Sequence, residues 1–102
     1  MIIVSGIIEM SEGDVARLTD AMATQMAATQ AEDGCIQYDF SHHVTRPDVL
    51  IVSEKWRDAD ALAAHGKAPH MAIFNRAVGK ATIKRISVRA YDASNERTLI
   101  GE

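Results

Sequence analysis

A phenol, an imidazole, a carboxylate and an indole fall at alternating positions of two β-rich runs. In Ile36-Gln37-Tyr38-Asp39-Phe40-Ser41-His42 the even positions are Ile, Tyr, Phe and His. In Leu50-Ile51-Val52-Ser53-Glu54-Lys55-Trp56 they are Leu, Val, Glu and Trp. Side chains alternate across a strand, so each set shares one face of a sheet. Polar tips on an otherwise apolar face need partners when buried, and a pocket with apolar walls and a few polar groups supplies them. Glu54 shares that face with Trp56. A carboxylate against an indole in a dry pocket has its pKa raised, which makes Glu54 a candidate general base. His65 and His70 are the other candidate proton acceptors. They lie in Ala63-Ala64-His65-Gly66-Lys67-Ala68-Pro69-His70-Met71, a break between two short helical runs.

The same residues argue against a metal. His65 and His70 are five apart across Gly and Pro, whereas a helical ligand pair is four apart. Asp39 and His43 have the opposite parity to Glu54 and point to the other sheet face. Cys35 has no neighbouring activator and reads as a small apolar residue. The chain carries no glycine-rich phosphate loop and no nucleotide fingerprint. The residues therefore predict a pocket with no metal and no cofactor.

These side chains must be held by a small domain. The 102 residues allow one core, and 47% hydrophobic with 25% charged residues is the balance of a soluble globular protein. A net charge of −3 gives no electrostatic reason to expect nucleic acid or an anionic membrane as a partner. No apolar run approaches the roughly 20 residues of a membrane span. The N-terminus lacks the basic start and long apolar stretch of a signal peptide. With Cys35 the only cysteine, a reducing compartment is expected, and the cytoplasm is the default location.

Residues 2–9 read as a strand. Ser11 followed by Asp14 resembles a capping box, and Val15, Leu18, Met22 and Met26 form the stripe of an amphipathic helix. Gly34 closes that helix in the left-handed conformation. Residues 35–44 and 49–56 form two strands joined by the turn Thr45-Arg46-Pro47-Asp48. Asp58 caps a helix from Asp60 to His65, Pro69 opens a second with Met71, Phe74 and Val78 inward, and Gly79 ends it. Residues 82–92 are the last strand, followed by a polar tail, 93–102. The order β-α-β-β-α-β predicts an α+β, ferredoxin-like domain over residues 1–102: a four-stranded antiparallel sheet with its helices on one face.

Parity places Val4, Ile8, Ile36, Phe40, Leu50, Val52, Ile86 and Val88 under the helices. Ile3, Ile7, Val49, Ile51, Ile83 and Tyr91 are left on the other face. An apolar face of that size predicts an interface, two sheets packing together in a homodimer. Leu99 and Ile100 of the tail are placed to dock on the partner.

The run Glu32-Asp33-Gly34-Cys35-Ile36-Gln37-Tyr38, then Pro47, Glu54-Lys55-Trp56-Arg57-Asp58, Ala61-Leu62-Ala63-Ala64-His65 and Pro69-His70-Met71 closely resemble the antibiotic biosynthesis monooxygenase domain family. The resemblance spans roughly residues 2 to 90. It implies a dimeric α/β barrel with a pocket between sheet and helices in each protomer. It also implies oxidation of a quinol- or anthrone-like aromatic by O2 without metal or flavin. Under that resemblance Glu54, His65 and His70 are the catalytic candidates, and Tyr38, Phe40, His42, Trp56, Met71 and Phe74 the substrate-binding ones. The domain also serves haem-degrading enzymes, but the stretch Ile73-Phe74-Asn75-Arg76 offers haem no ligand. An isomerase or lyase of a small metabolite and a non-catalytic ligand-binding dimer are the alternatives on the same fold.

Overall fold

Runs of Ile, Val and aromatic residues pair laterally because β-branched and aromatic side chains pack well on a pleated surface. In the computed structural model, which describes residues 1–102, they form strands β1 (Ile2–Met10), β2 (Cys35–His43), β3 (Arg46–Trp56) and β4 (Ile83–Asp92). Helices α1 (Asp14–Arg17) and α2 (Thr19–Gln30) follow β1, and α3 (Ala59–Gly66) and α4 (Pro69–Val78) follow β3. The sheet order is β2-β3-β1-β4 and every pairing is antiparallel. The expected ferredoxin-like α+β fold is present.

The even strand residues and the helices share two packed clusters. Ile2, Val4, Tyr38 and Trp56 pack with Ala61 of α3. Met10 and Leu50 pack with Val15, Leu18 and Met22 of the first helical segment. Each such apolar side chain taken out of water contributes about 1.5–3 kcal/mol before the entropy of ordering it.

Several local expectations are corrected. The first helix breaks at Leu18, which adopts φ −89° and ψ 1°. The capping box does not form. The residue before α1 is Gly13 at φ 82°, and the Asp14 carboxylate instead accepts from the Thr82 backbone N–H and pairs with Arg17. Those two donors hold the Asp14 carboxyl below the usual carboxylate range. The β2–β3 turn is tighter than predicted: His43 pairs with Arg46, so Pro47 and Asp48 already belong to β3.

Two β-bulges reassign faces. The register shifts between Cys35 and Gln37, which puts Cys35 rather than Ile36 opposite Trp56. Ile36 is 57% exposed as a result. A second shift between Glu9 and Met10 places Ile83 opposite Met10, on the helix face. Ile86 and Val88 do share that face, opposite Ile8 and Gly6, yet both are exposed. The helices pack against β2 and β3 and leave β4 uncovered. On the opposite face Val49 is buried, Ile3, Ile7 and Ile51 are half-buried, and Tyr91 is exposed. Apart from Cys35 at the bulge, the strand residues packed in the two clusters are even-numbered, so the helices cover that face and not the other.

Candidate active site

Three connections meet at one end of the core and carry its polar groups. The α2–β2 loop is shaped by Gly34, at φ 83°, a conformation that disfavours any side chain. An added Cβ there would meet the Ala61 Cβ at 2.5 Å. The loop is thus pressed onto α3, and its Glu32 is delivered to His65. Asp58 accepts from the Ala61 N–H at 2.9 Å and fixes the start of α3. Ala61 and His65, one turn apart, are the two buried residues of that helix. Pro69 opens α4, where its fixed φ and missing N–H suit the first turn, and this sets His70 beside the same loop.

Both imidazoles converge on Glu32. His65 Nδ1 lies 3.2 and 3.1 Å from Glu32 Oε1 and Oε2, and His70 Nε2 contacts Glu32 Oε1. On its other side, His70 Nδ1 is 2.9 Å from Gln25 Oε1. The Gln25 amide Nε2 is directed at the Tyr38 hydroxyl, 3.3 Å away, and at Met71 Sδ. Gln25 thus engages His70 at Nδ1, and Nε2 is the nitrogen turned to Glu32. The result is a chain of contacts, His65–Glu32–His70–Gln25–Tyr38. Salt bridges to Glu32 come from the two imidazoles alone; no Lys or Arg reaches it.

The aromatic groups surround this chain. The Tyr38 ring lies 5.4 Å from His65 and the Trp56 ring 4.8 Å from it. Phe40 packs edge-on to Tyr38 at 5.2 Å and stacks on Phe74 at 5.4 Å. Trp56 Nε1 donates to Glu54 Oε1 at 2.8 Å. Burial pushes the Glu54 carboxyl up, and the indole hydrogen bond pulls it partly back. Burial pushes the Tyr38 phenol up to about 12, so it stays protonated at neutral pH. Cys35, half-buried opposite Trp56, also has its thiol raised, first by burial and then by the Glu32, Glu54 and Asp39 charges.

The predicted site residues therefore separate into three groups. His65, His70, Tyr38 and Met71 come together as expected, with Phe40 and Phe74 beside them. Glu54 and Trp56 are adjacent, but Trp56 is fully buried and Glu54 hydrogen-bonds the indole rather than an imidazole. His42 stands apart. It is exposed, contacts the His43 carbonyl, and rims a separate apolar cleft of about 230 Å³ lined by Val15, Met22, Met26, Phe40 and Leu50. A third element, the α2–β2 loop, brings Glu32 to both His65 and His70.

Two members of the chain of contacts, Glu32 and Gln25, lie outside the strand faces and the helix break that carry the other site residues. Gln25 left a trace in the sequence: it sits between Met22 and Thr29 on the buried face of α2, a polar residue in an apolar stripe. Glu32 left none outside its loop motif. His70 and Gln25 open onto a cleft of about 290 Å³ between α2 and α4, which Asp20, Thr24, Ile73 and Phe74 also line. That volume is at the small end of ligand pockets.

The sequence profile described as antibiotic biosynthesis monooxygenase matches residues 1–77. A candidate antibiotic biosynthesis monooxygenase from Deinococcus radiodurans is 25% identical, with a TM-score of 0.89 over 99% of this chain and 100% of its own. A Bacteroides thetaiotaomicron protein of unknown function, described as a possible oxidoreductase, is 27% identical, with a TM-score of 0.77 over 88% of this chain and 94% of its own. A Mycobacterium tuberculosis protein at 23% identity shares the fold, with a TM-score of 0.83 over 95% and 98% of the two chains. No curated protein matches.

Proposed function

The chain belongs to the antibiotic biosynthesis monooxygenase family, and from that membership we propose that it oxygenates a small phenolic aromatic of the quinol or anthrone type. The observation that carries this reading is the His65–Glu32–His70–Gln25–Tyr38 chain opening at His70 onto the α2–α4 cleft. A phenol seated in the cleft gives its proton to the Glu32–His70 pair. The deprotonated ring is then electron-rich enough to reduce O2 directly. One oxygen atom enters the ring system, the other leaves as water, and the substrate supplies all the electrons. Phe74 and Ile73 offer the aromatic an apolar wall. Gln25, anchored on Tyr38, keeps the His70 ring in one orientation, which is the geometric half of general base catalysis. Glu54 acts at one remove, by fixing Trp56 against His65.

Oxygen uptake with a panel of hydroquinones and anthrones tests the reading. Uptake above autoxidation that disappears in His70→Gln is the expected result. Uptake no faster than autoxidation across the panel overturns it.

The helix-free sheet face supports a second part of the proposal, a homodimer. Ile7 and Ile51 lie opposite one another at its centre, and β4 adds exposed Tyr91. Light scattering should give twice the 11.1 kDa chain mass, and Ile51→Glu should give the single mass. A wild-type protein at the single mass at micromolar concentration removes the dimer.

A further inference from the structure

We propose that Glu32, His65 and His70 are also a three-ligand site for a divalent transition ion of the zinc class, and that the bound ion blocks turnover. The donor atoms, one from each residue, lie within 4.8 Å of one another. An ion bound at about 2.0–2.2 Å with tetrahedral angles separates its donors by roughly 3.3 Å. The His65 Nδ1 to Glu32 distances of 3.1 and 3.2 Å already match that separation. Imidazole and carboxylate are the donors that zinc-class ions take, and three of them leave a fourth position for water.

Three further observations point to a cation. First, the Nε2 of His70 and the Nδ1 of His65 both converge on the Glu32 carboxylate, so two imidazole nitrogens and a carboxylate oxygen face one point. Second, Gln25 is the outer partner that orients a ligand imidazole at metal centres, and it is itself held on Tyr38. Third, the site is sheltered yet reachable. The His65 side chain is 6% exposed, while Glu32 and His70 are 18% and 22% exposed. No Arg or Lys is already neutralising Glu32.

The ion and the substrate proton need the same lone pairs, so occupancy by one excludes the other. This blocking half rests on the oxygenase reading; the binding half does not.

Cobalt(II) titrated into chelator-treated full-length protein tests the binding half without any substrate. Visible d–d bands saturating at one ion per chain are expected, lost on adding one equivalent of zinc. His70→Gln and Glu32→Gln should each weaken binding at least about 100-fold, and Gln25→Ala about 10-fold. His43→Gln, which alters only the exposed β2–β3 turn, should leave the bands unchanged. His70 is the informative variant if the more buried His65→Gln does not fold. Absence of bands, or bands that survive His70→Gln, overturns the site. One equivalent of zinc should then stop oxygen uptake and a chelator should restore it; undiminished uptake with zinc bound overturns the blocking half. Cobalt binding in a protein that oxidises nothing upholds the site and tells against the oxygenase reading alone.

Discussion

Replacing Glu32 with Gln is expected to lower turnover on an accepted phenol by about 100- to 10,000-fold, the range general acid–base groups contribute. Gln has nearly the shape of Glu, so the loop between α2 and β2 should keep its course, with Glu32's backbone N–H still bonded to the Thr29 carbonyl. What changes is charge. A carboxylate that faces two imidazoles stabilises a proton arriving on either; an amide does not. His70→Gln should cost a similar factor, and the double variant little more than either single one, because the two act as one acceptor. Steady-state oxygen uptake with matched circular dichroism decides the matter. A well-folded Glu32→Gln protein with wild-type kcat removes the acceptor from the cluster and returns Glu54 to first place.

The second large effect is on stability. Trp56→Ala should cost about 3–5 kcal/mol, a large part of the roughly 5–15 kcal/mol that holds a domain of this size together. Trp56 is fully buried, packs on Ile2, Val4, Tyr38 and Ala61, and donates to Glu54. Removing it opens a cavity and orphans a buried carboxylate at once. Trp56→Phe separates the two contributions. It keeps most of the apolar volume and loses the indole donor, for an expected cost of about 1–3 kcal/mol. In a Glu54→Gln background the Trp56→Phe cost should shrink, since a neutral amide is cheaper to leave unpaired than a carboxylate. Urea denaturation midpoints at constant slope give all four corners of that cycle. An unchanged Trp56→Phe cost in the Glu54→Gln background would show that packing alone sets it.

The sheet was legible because parity is a local property. Val4, Tyr38, Leu50, Val52, Glu54 and Trp56 are each where alternation puts them, and the Asp58 cap and Pro69 start are contained within their own helices. The misplacements of Ile36 and Ile83 share one origin. A bulge inserts a residue, and nothing in Cys35-Ile36-Gln37 or Thr82-Ile83-Lys84 marks where the ladder slips. Ile86 and Val88 kept the right parity and still ended exposed, because a helix pair of fixed width covers only some of the strands. The site was half legible for a related reason. His65 and His70 stood out as titratable groups at a helix break. Their carboxylate partner is more than thirty residues away in sequence, and a loop pressed onto a neighbouring helix by one glycine leaves no periodic trace.

On the oxygenase reading, Cys35 is a thiol in the protein that would release a quinone product. Quinones are electrophiles that alkylate thiolates, and an enzyme releasing them beside its own nucleophile would inactivate itself with each turnover. The only thiol of this chain is half-buried, and burial first, then the nearby Glu32, Glu54 and Asp39 charges, raises its pKa and favours the unreactive protonated form. On the oxygenase reading, the charge that would take a proton from the substrate would also help keep this thiol from its quinone product.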